Sequence, residues 1–181
     1  RAQFKKLPFS EPAYKKMLGV PAVHGEKGWN TYERSWVRPT FEINGITSGY
    51  QGEGSKTIIP SWASCKITCR LVPSQDPNDI MKKIEAYVKK IAPKSVRTEL
   101  RKYGGAKAVV VPTDGPWLEA AGRALKTGFG KAPVFIHEGG SIPVVGDFKD
   151  ILGIDTLLLG FGQNDDNTHS PNERFRVRSE E

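Results

Sequence analysis

The sequence predicts an α+β domain, an antiparallel sheet with helices against it, joined to part of an α/β domain. Three observations carry this reading. Residues Ala63 to Leu71 alternate apolar and polar side chains with a period of two, the pattern of a half-buried antiparallel strand. Residues 77–91 hold an apolar stripe at helical spacing behind an aspartate and a proline. After Thr113 helical patterns alternate with short apolar runs, the grammar of a parallel sheet with crossover helices. The boundary falls between a first part, 1–112, and a second, 113–181.

The lead-in to Pro39 mixes glycine, proline and aromatic residues without sustained periodicity, apart from a short helix expected over Glu11 to Leu18. Thr40 to Ile46 reads as a strand, SGYQGEG as a glycine-rich turn, and Lys56 to Ile59 as a second extended run. In the third strand Ala63, Cys65, Ile67, Cys69 and Leu71 share one face, while Ser64, Lys66, Thr68 and Arg70 share the polar one. The helix that follows has Asp76 as N-cap, Pro77 at its first position and Asp79 against the dipole. Ile80, Ile84, Tyr87, Val88 and Ile91 form its stripe, Lys82, Lys83, Lys89 and Lys90 a solvated face, and Pro93 its end. Ser95 to Tyr103 reads as a further strand.

In the second part Pro116 opens a helix through Phe129 that Gly130 closes, and Val134 to Ile136 is a short strand. Another helix is expected from Ser141 as N-cap to Leu152, stopped by Gly153. Thr156 to Phe161 is a near-continuous apolar run, the kind found in strands covered on both faces. Ser170, Pro171 and Glu173 have the form of a capping box opening a last helix.

Composition narrows the function classes. The chain has 181 residues, 38% hydrophobic and 26% charged, as an ordinary globular protein does. No apolar run approaches the roughly 18 to 20 residues of a membrane span, and the start lacks a signal-peptide core. A net charge of +7 would suit a nucleic-acid binder, but basic residues are scattered among acids and no zinc-finger spacing or RNA-binding aromatic motif accompanies them. The expectation is a cytoplasmic protein with neither nucleic acid nor membrane as partner. Cys65 and Cys69, on one strand face roughly 13 Å apart, are too distant for a disulfide and read as buried thiols.

Two places could carry chemistry. In Glu138-Gly139-Gly140-Ser141 the glycines let a ligand approach the backbone, and the following helix offers unpaired N–H groups to an anion. A strand-to-helix turn is the plainer reading of the same residues. His169 stands between the apolar run and the expected helix, where Asp165, Asp166 and Asn167 could orient its imidazole. A single histidine does not hold zinc, and His24 and His137 add no ligand spacing.

Three segments, FEINGITSGYQGEGSKTIIPSWASCKITCRLVPSQDP, FIHEGGSIPVVGDFKDILG and LLLGFGQNDDNTHSPNERF, closely resemble the carnosinase-like dipeptidases. These belong to the two-metal amidohydrolases that include aminoacylase, acetylornithine deacetylase and succinyl-diaminopimelate desuccinylase. The resemblance runs from about Gly19 to Phe175, and the ordered trio RLVPSQ, EGGSIP and HSPNE carries it. It implies an α+β lid/dimerisation domain, whose later part is 1–112, joined to the C-terminal part of an α/β metallopeptidase domain, 113–181.

The resemblance also implies two divalent metal ions, zinc or else manganese, and a homodimer formed through the lid. His169 falls on the family's last metal ligand. Gly139, Gly140 and Ser141 fall on the turn that meets the substrate, Arg70 on the lid arginine that grips its carboxylate, and Thr57 on a substrate-facing lid position. The family's general-base glutamate, its other metal ligands and its lid histidine belong to a segment that precedes Arg1. His137 departs from the arginine often found there. The expectation is therefore a piece of a metal-dependent dipeptidase, with no catalytic residue of its own and inactive alone, whose parent cleaves short peptides with a free C-terminal carboxylate. An N-acyl amino acid deacylase and a non-catalytic dimerisation module are the alternatives.

Overall fold

A computed structural model describes residues 4–140, 142–163 and 165–175. Among these, the elements run α1 (Glu11–Leu18), α2 (Thr31–Val37), β1 (Glu42–Ser48), β2 (Ala63–Thr68), α3 (Pro77–Ile91), α4 (Pro116–Phe129) and α5 (Pro143–Leu152), after a 3-10 turn at Phe4–Lys6. The chain divides into two compact units, the first ending at Val109 but also taking in Ile136–Gly146, the second comprising Val110–Phe135 and the residues from Asp147.

In the first unit β1 and β2 form an antiparallel ribbon, with Glu42 opposite Thr68 and Ser48 opposite Ala63. An irregularity between Ile43 and Gly45 leaves Asn44 to accept a hydrogen bond from the Thr68 hydroxyl at 2.9 Å. Helix α3 begins as its sequence dictates. The Asp76 carboxylate accepts from the N–H groups of Asn78 at 2.8 Å and Asp79 at 3.1 Å, satisfying two donors that no helical carbonyl can reach. Those bonds hold the Asp76 carboxyl below its usual range. The lysine face is solvated as expected, with exposed pairs Lys83–Asp79 and Lys89–Glu85.

The stripe of α3 turns to the ribbon. Ile80, Ile84, Tyr87 and Val88 line an apolar groove with Phe41, Ile43 and Ile67. The groove stays open: at the Ile43–Ile67 end of the sheet Ile43 is 58% exposed, and in the next apolar pair, Ile46 and Cys65, Ile46 is 71% exposed. This overturns the expectation of two buried thiols: Cys65 is exposed and Cys69 half-buried. Burial, and then the nearby charge of Glu42, push the Cys69 thiol up.

Helix α2 is an addition to the sequence reading. Asn30 and Glu33 make a reciprocal capping box, each side chain accepting from the other's backbone N–H at 2.9 Å, and Glu33 is buried in doing so. Tyr32 stacks on Trp36, which Phe4 meets edge-on, and Phe9 adds to the cluster through Tyr32. Beyond α2, Arg38 grips Glu26 at 2.7 and 2.8 Å and lies over the Trp29 ring, holding the Glu26 carboxyl below its usual range.

The strands expected at Ser95 to Tyr103, Val134 to Ile136 and Thr156 to Phe161 do not form ladders among the described residues, and neither does Lys56 to Ile59. A strand needs a neighbour's N–H and C=O groups as well as its own pattern. The second unit accordingly holds α4, closed by Gly130 at φ 69, and apolar runs that stay half open, with Leu157 41% and Leu158 54% exposed. No described helix is long and apolar enough to cross a membrane.

Candidate functional site

Arg70 lies just past β2, and the ribbon's pairing continues to it. The Thr40 N–H donates to the Arg70 carbonyl at 3.1 Å, and the Arg70 N–H donates to the Thr40 hydroxyl at 3.3 Å. Alternation then decides its face. Ile67 and Cys69 share the side that meets α3, so Thr68 and Arg70 are on the other. An exposed guanidinium at a fixed backbone position can hold a carboxylate by two charge-assisted hydrogen bonds. Thr57 sits in the connection between β1 and β2 and is exposed.

The Glu138-Gly139-Gly140 turn belongs to the same unit and rests on α2. A Cβ at Gly139 would come within 2.1 Å of the Ser35 carbonyl oxygen, so only glycine fits there. Phe4 meets the neighbouring His137 ring edge-on, with centroids 5.5 Å apart. The Gly140 N–H reaches the Glu138 carboxylate at a long 3.4 Å. Helix α5 starts at Pro143, with the Ile142 carbonyl accepting from Val145 N–H at 3.0 Å. Ser141 lies outside the described residues, and so does the cap expected of it.

His169 is in the second unit, exposed on a tight loop with its backbone at φ 60. Left-handed backbone is uncommon for a residue with a side chain, although Asn, Asp and His adopt it more readily than most. The helix expected from Ser170 does not begin in the described residues. Pro171 and Asn172 make a turn instead, with Asn172 at φ 62, and a left-handed residue two places after the cap cannot continue a right-handed helix. The three residues read as candidates to orient the imidazole do other work. Asp165 pairs with Arg174 at 2.6 Å, Asp166 is buried and accepts from the Gln163 N–H at 2.6 Å, and the Asn167 carbonyl accepts from the Ser170 N–H at 2.9 Å.

Arg70, Thr57, Gly139 and Gly140 thus fall in one unit and His169 in the other. Among the described residues no group of three or more His, Cys, Asp or Glu side chains could hold a metal ion. What fits a metal is one imidazole donor on a loop closed by a buried carboxylate, a single corner of a coordination shell. Two features escaped the sequence reading. The contact of Gly139 with Ser35 leaves no local signal, whereas Asn30-Thr31-Tyr32-Glu33 is a capping-box pattern that announces α2.

Comparison with known proteins places these features in context. A family model described as the peptidase dimerisation domain matches residues 6–96. The Cys-Gly metallodipeptidase of Saccharomyces cerevisiae is 32% identical over 182 residues, covering 98% of this chain and 37% of the yeast protein. The Beta-Ala-His dipeptidase of Homo sapiens is 31% identical over 150 residues, covering 77% of this chain and 28% of the human protein. An M20 family metallo-carboxypeptidase from Sulfolobus solfataricus superposes with a TM-score of 0.80 at 29% identity, covering 95% of this chain and 39% of that one. The chain spans well under half the length of each relative.

Proposed function

The chain belongs to the peptidase dimerisation domain family, and on that premise we propose that it is part of a metal-dependent dipeptidase acting on short peptides with a free C-terminal carboxylate. The observation that carries this reading is the reach of the yeast dipeptidase's similarity. It extends over 98% of the chain, past the dimerisation domain at 6–96 and through the EGG turn and the His169 loop. The proposed division is a lid/dimerisation part over 1–112 and a catalytic-domain part over 113–181.

In this reading Arg70 grips the substrate carboxylate from the sheet face opposite α3, and Thr57 faces the substrate from the connection between the ribbon's two strands. Gly139 and Gly140, with Ser141, meet the peptide backbone. His169 gives one imidazole nitrogen to a divalent ion whose other ligands come from elsewhere in the protein. The names of the relatives support dependence on divalent metal, and we assign two ions, zinc with manganese as the alternative. When bound, such ions polarise the scissile carbonyl and activate water. The chain's own share is narrower: to hold the carboxylate, fix the peptide against the EGG turn and present His169. The family supports a homodimer, and free thiols suit a reducing, cytoplasmic setting.

The test is Arg70→Ala in the natural protein that carries this chain. Losing a charge-assisted hydrogen bond costs about 1.5–3 kcal/mol. The expected fall in kcat/KM is therefore roughly 10- to 150-fold for a dipeptide with a free carboxylate, and near zero for its C-terminal amide. An unchanged kcat/KM on the free acid would contradict the clamp, and faster turnover of N-acyl amino acids than of any dipeptide would make the protein a deacylase. A second reading, a dimerisation module without chemistry, is favoured by the match of the family model to 6–96 alone. Sedimentation of this chain as a monomer at high concentration would remove it.

A further inference from the structure

The loop that carries His169 is closed on itself through one residue. Asp166 is 4% exposed, less than Val145, which at 6% is the one buried apolar residue described. A carboxylate buried deeper than any apolar neighbour needs a structural reason, because removing it from water is costly unless its hydrogen bonds are replaced. Its Oδ2 accepts from the Gln163 N–H at 2.6 Å, and its own N–H donates to the Gln163 carbonyl at 3.2 Å. Its carbonyl accepts from the Arg174 N–H at 2.9 Å, while Arg174 Nη2 pairs with Asp165 at 2.6 Å. Both ends of the loop are thereby tied to Asp166.

Between those ties three residues with side chains adopt left-handed backbone: Asn167 at φ 55, His169 at φ 60 and Asn172 at φ 62. Such conformations persist where the surroundings over-determine them. Ser170 N–H donating to the Asn167 carbonyl at 2.9 Å sets His169 as the third residue of a turn inside the closed ring. A simple loop staple would explain the ties but would leave the imidazole's role indifferent to them. Asp166 Oδ1 has no hydrogen-bond partner among the described residues, so the carboxylate keeps one acceptor beyond what the loop's closure uses.

We infer that Asp166 is a positioning residue for His169: it fixes the backbone that presents the imidazole without touching substrate itself. This rests on the reading of His169 as a metal ligand. The experiment uses the natural protein carrying this chain, with Asp166→Ala and Asp166→Asn. The alanine variant is expected to lose about tenfold or more in zinc affinity, measured against a chelator, and to lower kcat about tenfold with KM nearly unchanged. The asparagine variant, whose amide oxygen accepts the same Gln163 N–H, should restore both to within about threefold of wild type. An alanine variant with wild-type zinc affinity and kcat overturns the inference, and so does an asparagine variant as impaired as the alanine one. Should Asp166→Ala not fold, Gln163→Pro removes the donor of the same bond and takes its place, with the same expected and overturning results.

If the unmodified protein binds no divalent ion, it is the dipeptidase reading that has failed. Amide exchange then still decides the positioning claim. Asp166→Ala should speed exchange at Arg174 about tenfold and shift the His169 ring resonances, whereas Asp166→Asn should do neither. Unchanged exchange and unchanged ring resonances in the alanine variant overturn it.

Discussion

The helix and ribbon of the first unit turn apolar faces toward each other, whereas the His169 loop in the second is shaped by polar closure. In the first, a capped helix faces the ribbon across an open groove lined by Ile80, Ile84, Val88, Ile43 and Ile67, and Arg70 inherits its place from the ribbon's alternation. In the second, Leu157, Leu158 and Phe161 remain about half exposed, and the loop holds its form through Asp166, Arg174 and backbone turns. Apolar packing is non-directional and tolerates volume-conserving change, while a hydrogen-bonded ring depends on each donor and acceptor. The ribbon that places Arg70 is therefore expected to be robust and the loop that places His169 brittle.

That contrast can be broken or sharpened. The largest effect on stability is expected where even the first unit has no slack. Gly139→Ala forces a Cβ to 2.1 Å from the Ser35 carbonyl, and overpacking of this kind costs about 1–3 kcal/mol in urea unfolding. A neutral result would show that the EGG turn is free of α2. Ile84→Ala removes a half-buried side chain from the groove and should cost about 1–2 kcal/mol, while Ile84→Leu should be almost silent. An equal loss from both would make the groove as demanding as the loop.

Smaller effects follow from titration and exposure. Asp76 has a folded pKa below its usual 3.8 because helix N–H groups stabilise the charged form. Its contribution is present above that usual value and disappears as pH falls through the lower, folded one. Urea midpoints followed below about pH 4 should thus decline less steeply in Asp76→Asn than in the unmodified chain. A parallel decline would remove Asp76 from the acid response. Smallest of all, a thiol reagent should modify exposed Cys65 before Cys69, whose thiolate is disfavoured by burial and by Glu42. The reverse order, read by peptide mapping, would place the groove over the wrong end of the ribbon.

The elements written in local chemistry were legible in advance. Asp76-Pro77 fixed the start of α3, Pro116 and Gly130 bounded α4, and Glu11 to Leu18 was a helix as its spacing implied. Helix α2 was equally legible from Asn30 and Glu33 but is only seven residues long and hides in the aperiodic lead-in. Thr156 to Phe161 failed as a strand for a different reason: an apolar run specifies what it needs, not what lies beside it. The same holds for the site. Alternation put Arg70 on the uncovered face, but the seat of Gly139 on Ser35 joins residues far apart in sequence. The Ser170 cap gave way to a turn because Asn172 takes a left-handed conformation, one that asparagine adopts more readily than most residues but that the capping pattern does not announce.

The most direct test is metal content and dipeptide hydrolysis of the natural protein carrying His169→Ala. The expected result is loss of bound divalent metal together with a fall in kcat/KM of at least about a hundredfold, since removing even an outer-shell partner of a metal ligand costs 10- to 100-fold. Full metal occupancy with unchanged kcat/KM would contradict the assignment of His169, and with it the reading of this loop as one corner of a metal centre.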